Sequence, residues 1–359
     1  MSSPVIPSSY IRDNYDIAGE LGGGLFSVTY KVTGKKDGRN YAVKIYDLEQ
    51  ISRLLKHART SKVEPIPVLK EMLNNNRRIM DLLRREPRAR ENIKEVYEVG
   101  TLEDPYVVSE YLDYNLKQYM ARGMSPQDAI KIVLDVARGL RFVFTNTTCI
   151  CHGDISPDNI FISKKGDEIV AKLGDFDGAR FPEVSVPVSL FKLDYRPPEK
   201  DPDREGKYDV YSLGVILAEM ILGEHGAKTI KNEGGEAVDK FPISNELKNL
   251  IRRSAAFYPE KRFTLNEFID TLKNALEIKA TTPPPPPPQG LEKEVRDVAS
   301  LYLKFLEDIR RSPDSNKFNR IKKDIDPRFD ELVKLWKEKR EESIPRIREL
   351  ISYLRRELS

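Results

Sequence analysis

The segment CICHGDISPDNIFI, residues 149–162, holds one His, two Asp and one Asn between two short apolar runs. Asp154 carries a carboxylate that can accept a proton from a hydroxyl nucleophile. Asn159 follows five residues later and can bind a metal ion through its amide oxygen. Taken alone, the segment is equally consistent with a polar surface turn, so other parts of the chain must decide between the two interpretations.

Two further positions carry a charge in apolar surroundings. Asp175, in KLGDFDGAR at 172–180, is a second carboxylate that follows a short apolar run. Lys44 stands in the middle of YAVKIY at 41–46. A lysine in an apolar strand needs an anionic partner or a route to water, so Lys44 either meets an anion or faces solvent from an edge strand.

The stretch LGGGLFSVTYKV, residues 21–32, is a glycine-rich turn between two predicted strands. Glycine has no Cβ, so backbone N–H groups in such a turn can approach phosphates closely. The stretch is not a P-loop, because no Gly-Lys-Ser/Thr follows it. Nor does a helix follow it, as a dinucleotide-binding fold requires. By itself the pattern is consistent with an ordinary hairpin.

The elements that must position these residues change in type along the chain. Helical periodicity predicts a helix near 67–84 and dominates after about residue 115. One later helix begins with Ser125 as its N-cap, and another with Thr264 and Glu267 placed as a capping box. A strand-rich front half and a helix-rich back half predict an α+β fold with two lobes. The predicted strands are YDIAGELG, SVTYKV, NYAVKIY, VYEVGTL and PYVVSEYL.

In this order and spacing, the glycine turn, the strand lysine, H-x-D-x-x-x-x-N and D-F-x resemble the eukaryotic-type (Hanks-type) protein kinase family. The resemblance covers residues 12–277 and extends beyond the chemistry. YRPPE at 195–199 is similar to the A-P-E segment of the family, and DVYSLG at 209–214 is similar to its D-x-W-S-x-G helix start. Arg262 matches the arginine that pairs with the glutamate of that segment, here Glu199.

The resemblance implies ATP and Mg²⁺ as cofactors and assigns a role to each matching residue. Asp154 is the expected catalytic base, assisted by Lys44 and Asn159, and Asn159 and Asp175 are the expected metal ligands. Ala42 and Phe161 are expected to enclose the adenine, with Ser109 at the gatekeeper position and the backbone of Glu110 and Leu112 at the edge of the base. The full set expected to bind ATP is Leu21, Gly22, Gly24, Phe26, Thr29, Ala42, Lys44, Ser109, Glu110, Leu112, Phe161 and Asp175.

Three departures from the family pattern lie in the catalytic motifs. Gly153 replaces the arginine of H-R-D, which implies a kinase that is not switched by an activation-loop phosphate. Ser156 stands where serine/threonine kinases carry a lysine that contacts phosphate. Asp177 replaces the glycine of D-F-G, so it either restricts movement of this segment or adds a carboxylate near the metal. The chain is therefore a non-RD variant with HGD and DFD motifs.

The helix near 67–84 lacks a glutamate at the position that should pair with Lys44. Asn76 falls on its apolar stripe, whereas Glu71 lies about 140° away around an ideal helix. We expect Asn76 to occupy the inner position and Lys44 to pair with another carboxylate, Asp175. A short distance from Lys44 to a helical glutamate would refute this hypothesis.

Six consecutive prolines in TTPPPPPPQG, residues 281–290, predict an extended spacer with polyproline II geometry. A ligand for a proline-binding module is the alternative. The linker, taken as 278–290, precedes three amphipathic segments in 291–359 that predict a helical accessory domain. We assign that domain a regulatory or interaction role, with a protein partner bound there or at the proline run.

The bulk composition narrows the class of protein. With 60 basic and 57 acidic side chains, the net charge is +3, so we expect no nucleic-acid partner. Cys149 and Cys151 are too close in sequence for an easy disulfide, which favours a reducing compartment. The N-terminus has no secretory signal pattern, and the apolar stretch at 213–223 is too short to span a bilayer. We expect a cytoplasmic protein without a membrane anchor.

Together these observations predict an ATP-dependent protein kinase whose N-lobe spans about 12–112 and whose C-lobe spans about 113–277. Its substrates are protein hydroxyls, with Ser/Thr favoured. A pseudokinase scaffold that binds nucleotide is favoured by the missing helix glutamate and the DFD sequence, but such a scaffold does not need the retained catalytic set. A small-molecule phosphotransferase is favoured by Ser156, whereas YRPPE and Arg262 argue against it.

Overall fold

A computed structural model describes residues 8–24, 26–57, 64–122, 124–165, 168–182, 194–203 and 205–281. The predicted accessory domain and most of the proline linker lie outside the described residues. The last described helix continues to Thr281, into the segment predicted as linker. The domain boundaries therefore stay a prediction.

The N-terminal lobe is built on a five-stranded antiparallel sheet with the order β1-β2-β3-β5-β4. Its strands are short and rich in β-branched and aromatic residues, as their positions between turns require. The central strand β3 pairs with β2 on one side and β5 on the other, so a side chain in β3 is held at a fixed place in the sheet. The strands are β1 Tyr15–Gly23, β2 Ser27–Gly34, β3 Asn40–Tyr46, β4 Val96–Val99 and β5 Tyr106–Glu110.

Three helices accompany this sheet, of which α3 forms much of the core of the lobe. Pro65 lies in its first turn, and Arg84 and Arg85 lie in its last turn, where cations interact favourably with the helix dipole. Its apolar stripe is buried, and Met72 and Ile79 expose no surface. The helices are α1 Ser9–Asn14, α2 Leu48–His57 and α3 Pro65–Arg85. No element was predicted from the sequence for the segment that forms α2.

A second, three-stranded sheet with the order β6-β7-β8 begins the C-terminal lobe. The hairpin of β7 and β8 positions two of the predicted site residues, because Asn159 directly precedes β7 and Asp175 lies shortly after β8. Helix α5 packs against this hairpin and begins with the predicted N-cap, since Ser125 Oγ accepts the N–H of Asp128 at 3.1 Å. The elements are β6 Tyr114–Asn115, α4 Leu116–Met120, α5 Pro126–Asn146, β7 Ile160–Lys165 and β8 Glu168–Leu173.

Helices complete the lobe. Helix α6 is apolar on nearly every side because it runs through the core, and the non-helical backbone of Gly223 divides it into two parts. These helices are α6 Lys207–Glu233, α7 Asn245–Ser254 and α8 Leu265–Thr281. None of the described helices combines the length and apolarity needed to cross a bilayer. The order of a β-sheet lobe followed by a helical lobe confirms the predicted α+β class.

Candidate active site

A cleft of about 330 Å³ collects residues from the glycine turn, β3, the end of β5, the loop before β7 and the end of β8. The sequence predicted a nucleotide site from residues far apart in the chain, and the fold brings nearly all of them to this cleft. The predicted residues that line it are Leu21, Gly22, Gly24, Phe26, Thr29, Ala42, Lys44, Ser109, Leu112, Asp154, Asn159, Phe161 and Asp175.

Glu110 is the exception among the predicted residues. Its carboxylate accepts hydrogen bonds from Lys172 Nζ at 2.7 and 2.8 Å and from the Glu95 N–H at 3.2 Å. The side chain is therefore engaged with neighbouring elements and does not line the cleft. The role implied for Glu110 concerns its backbone alone and stays a prediction.

The glycine turn connects β1 and β2 above the cleft. The register of this pair shifts between Glu20 and Gly22, and Gly22 has a φ of 152°, which a side chain rarely permits. Phe26 follows the glycines of this turn, and its ring is buried, with 6% of its surface exposed. The centroid of the ring lies 5.9 Å from Lys44 Nζ, a cation–π contact.

The contacts of Lys44 confirm the hypothesis that its partner is not a helical glutamate. Its ammonium donates to both carboxylate oxygens of Asp175, at 2.8 and 2.7 Å. It also donates to Asp177 at 2.7 Å. Burial lowers the pKa of Lys44, but the two carboxylates outweigh burial and raise it above its usual value. Glu71 instead pairs with Arg78 at 2.6 Å.

Asp177 makes contacts with Lys44, Tyr46 and Asn76 that sequence reasoning did not predict. One carboxylate oxygen accepts from Lys44, while the other accepts from the Tyr46 hydroxyl at 2.7 Å and from Asn76 Nδ2 at 2.8 Å. The residue is 2% exposed, and burial followed by repulsion from Asp175 raises its pKa to about 6. The sequence did contain one indication of these contacts: it has an extra carboxylate at 177 and also an amide, Asn76, where the helix normally carries a glutamate.

The loop before β7 is anchored from below by Asp209 at the start of α6. The Asp209 carboxylate accepts the N–H of His152 at 2.8 Å and that of Gly153 at 3.1 Å. His152 is fully buried, and burial lowers its pKa to about 4, so the ring is neutral. Its Nδ1 accepts the Asp154 N–H, which leaves Nε2 to donate to the Gly174 carbonyl at 3.2 Å. These contacts give His152 a structural role in holding the loop.

The backbone conformation explains why position 153 is a glycine, which was not predicted from the sequence. Its φ is 75°, and a Cβ at this position would lie 2.8 Å from the Gly178 carbonyl oxygen. A side chain there would be strained and would also displace the backbone after the DFD motif. Ser156, the other departure in this loop, is buried with 1% exposure and does not line the cleft, so it adds no group there.

Asp154 and Asn159 are held together at the edge of the cleft. Asn159 Nδ2 donates to the Asp154 carbonyl at 2.8 Å and to its carboxylate at 3.1 Å. Burial, followed by repulsion from Asp175, raises the pKa of Asp154 to about 7, although Arg196 and Lys44 partly offset it. Because the amide nitrogen of Asn159 faces Asp154, its oxygen remains available for a cation.

Lys94 is a second lysine in the cleft that the sequence did not indicate. Its ammonium lies 4.0 Å from the centroid of the Phe161 ring, a cation–π contact on the residue expected to bind adenine. Burial lowers the pKa of Lys94 to about 8, against the opposing influence of Asp175 and Glu110. The cleft therefore holds two lysines in different electrostatic states.

The predicted pair of Arg262 and Glu199 lies beneath the site and is confirmed. Arg262 Nη1 lies 2.6 Å from one Glu199 oxygen, and the side chain of Arg262 is completely buried. The ion pair links the YRPPE segment to the turn before α8.

The family model of the protein kinase domain matches residues 15–272, which is more than half of the chain. The chain belongs to the protein kinase domain family. A kinase domain of this fold generally uses ATP and a divalent metal ion. Its β-sheet lobe, helical lobe and cleft agree with that membership.

Relatives of the kinase domain include a Wee1-like protein kinase from Arabidopsis thaliana, 27% identical over 274 residues that cover 73% of this chain and 50% of the relative. Serine/threonine-protein kinase atg1 from Dictyostelium discoideum is 26% identical over 280 residues, covering 72% of this chain and 38% of the relative. The chain thus spans half or less of the length of these relatives.

Among solved structures, a mutant of the PknI kinase domain from Mycobacterium tuberculosis superposes with a TM-score of 0.52 at 19% identity. The superposition covers 74% of this chain and 96% of that one. At this level of identity the likeness shows the fold alone.

Proposed function

We propose that the chain is a protein kinase that transfers the γ-phosphoryl group of ATP, with Mg²⁺, to Ser or Thr hydroxyls of protein substrates. The observation that carries the proposal is the convergence of Lys44, Asp154, Asn159 and Asp175 on one cleft beneath the glycine turn. Phosphoryl transfer needs positioning and neutralisation of charge more than covalent chemistry, and this set of groups supplies both.

The oxygen atoms in the cleft fit a magnesium ion. Asp175 offers a carboxylate, and Asn159 offers the amide oxygen that its contact with Asp154 leaves free. Hard cations such as Mg²⁺ prefer oxygen ligands of this type. When bound, the metal ion would neutralise charge on the phosphates.

The roles of the remaining residues follow from their places in the cleft. Lys44 supplies a fixed positive charge for the α- and β-phosphates, and Gly22 and Gly24 let the turn approach them. Asp154 orients the acceptor hydroxyl and takes its proton. Ala42 and Phe161 enclose the adenine from opposite lobes.

The test is phosphoryl transfer from labelled ATP in the presence of Mg²⁺, with Asp154→Ala beside the unmodified chain. Removal of a positioned acid/base residue is expected to lower transfer by about 10²- to 10⁴-fold. Asp201→Asn is the control, since Asp201 is an exposed carboxylate outside the cleft. Phosphoamino-acid analysis of labelled protein then identifies the acceptor, for which we expect Ser or Thr.

Two results would contradict the proposal in different ways. Equal lack of transfer by the unmodified chain and Asp154→Ala, on generic protein substrates, would support a scaffold that does not catalyse. Label that moves only to added small molecules would support a small-molecule phosphotransferase.

A further inference from the structure

We propose that Asp177 is a positioning residue that holds Lys44 in place of a glutamate from helix α3. The inference concerns the cleft described above, and its importance for phosphoryl transfer rests on the proposed function. It assigns a purpose to two unusual residues at once, the aspartate at 177 and the asparagine at 76.

The contacts of Lys44 divide between two carboxylates on one short turn. Asp175 accepts two of its hydrogen bonds and Asp177 accepts the third, at 2.7 Å. An ammonium group has three donors, so all three are used. Asp175 lines the cleft, whereas Asp177 does not line it and is 2% exposed. Asp177 therefore approaches the lysine from its buried side.

Helix α3 holds Asp177 in this place with amides. Asn76 Nδ2 donates to the Asp177 carboxylate at 2.8 Å, and Asn75 Nδ2 donates to the Asp177 carbonyl at 3.3 Å and the Ala179 carbonyl at 2.8 Å. The Tyr46 hydroxyl, on the same strand as Lys44, completes the set at 2.7 Å. The helix thus acts on Lys44 indirectly, through a carboxylate that belongs to the DFD turn.

The charges explain why position 76 is an amide. Asp175 and Asp177 already place two carboxylates around one ammonium in a buried space. A glutamate at 76 would add a third negative charge, and buried like charges are strongly unfavourable. An amide instead donates a hydrogen bond to Asp177 and adds no charge. The one buried carboxylate of α3, Glu71, pairs with Arg78 and not with Lys44.

In this arrangement Asp175 can bind a metal ion while Asp177 holds Lys44. Asp175 is free to turn an oxygen toward a metal ion without leaving Lys44 unpaired, because Asp177 retains its own hydrogen bond to the lysine. Asp177 makes its contacts with Lys44, Tyr46 and Asn76 at the same time, so its position is fixed from three elements. We therefore expect the lysine to depend on Asp177 whenever Asp175 binds a metal ion.

The experiment moves the carboxylate from the turn to the helix. Four chains are compared for Mg·ATP affinity and for the KM of ATP: the unmodified chain, Asp177→Gly, Asn76→Glu and the double variant. Loss of a charged hydrogen bond predicts about 10- to 100-fold weaker affinity for Asp177→Gly. Asn76→Glu alone should also bind ATP more weakly, through repulsion of Asp177. The double variant should recover to within about threefold of the unmodified chain.

Asp177→Asn separates pairing of the lysine from a merely structural role. Asparagine retains the shape and an acceptor for Tyr46 but loses the charge, so it should raise the KM of ATP as Asp177→Gly does. Asp81→Asn is the control, since it removes an exposed carboxylate of the same helix that pairs with Arg84, and it should leave the KM of ATP unchanged. Unmodified ATP affinity in Asp177→Asn, or a double variant no better than Asp177→Gly, would overturn the inference.

The design distinguishes failure of this inference from failure of the proposed function. A chain that binds Mg·ATP but transfers no phosphate would contradict the function, while the four affinities would still test the position of the carboxylate. If nucleotide does not bind, denaturant unfolding of the same four chains gives an equivalent cycle. Recovery of stability in the double variant supports the inference, and additive losses contradict it.

Discussion

At the level of single residues, the cleft contains two lysines whose surroundings act in opposite directions. Lys44 lies between two carboxylates, which raise its pKa despite burial. Lys94 lies over the Phe161 ring, where burial lowers its pKa to about 8. The amine of Lys94 is therefore half deprotonated near pH 8, whereas that of Lys44 stays protonated.

This contrast predicts that acetic anhydride modifies Lys94 and spares Lys44, because the neutral amine is the nucleophile. The rate at Lys94 should rise between pH 6 and 9 with a midpoint near pH 8, because burial and, to a smaller extent, the charge of Lys44 lower its pKa while Asp175 and Glu110 raise it. Short exposures mapped by mass spectrometry give the rates. Mg·ATP should protect Lys94 if it fills the cleft. Faster modification of Lys44 than of Lys94 would contradict this prediction.

At the level of elements, Arg262 joins three segments beneath the site. Besides its ion pair with Glu199, its guanidinium donates to the Lys207 carbonyl at the start of α6 and to the Ala256 carbonyl after α7. A buried charge with this many partners is costly to disturb, because each partner would lose a hydrogen bond in buried surroundings. The network fixes the YRPPE segment relative to the helices of the C-terminal lobe.

We predict that Arg262→Ala lowers the free energy of unfolding by about 3–5 kcal/mol, the range for breaking a buried ion pair. Arg252→Ala is the matched control, since Arg252 pairs with Asp239 in partly exposed surroundings. Its effect should stay within about 0.5 kcal/mol. Denaturant unfolding of both variants measures the difference, and similar losses would show that the Arg262 network is not a principal support.

At the level of the whole molecule, the two lobes share one cleft, so a ligand that binds there stabilises the folded state of both. At a concentration of about 100 times its Kd, Mg·ATP should add about 2.7 kcal/mol to the free energy of unfolding. For a domain of this size, we predict a rise of the melting temperature by about 5 °C or more. A thermal scan of the full chain measures it.

The metal-dependent part of this stabilisation is testable with Asp175→Asn, which removes the expected metal ligand. The melting temperature of this variant should respond equally to ATP with Mg²⁺ and to ATP with a chelator. If the unmodified chain also melts at the same temperature in both conditions, the proposed metal site is wrong.

Sequence patterns predicted the sheet and α3 well, because alternation and helical periodicity are local properties of the chain. The strand NYAVKIY coincides with β3, and the helix predicted near 67–84 forms α3 with small extensions. The spacing of the motifs also predicted which residues would meet in the cleft. Whether Asp177 or Asp175 holds Lys44 depends on contacts across more than 130 positions of sequence, which no local pattern contains. The backbone constraint at Gly153 was equally invisible.

The turn Phe176–Gly178 carries a consequence for inhibitors of this cleft. Phe176 is 2% exposed and packs edge-on against His152, while the aspartates on both sides of it bind Lys44. Rotation of the phenylalanine into the cleft would break the ion pairs of Lys44 with both aspartates. It would also break the hydrogen bonds that Asn75 and Asn76 of α3 donate to Asp177. Compounds that require this aromatic ring to swing outward should therefore bind weakly, and those that accept it where it lies should be preferred.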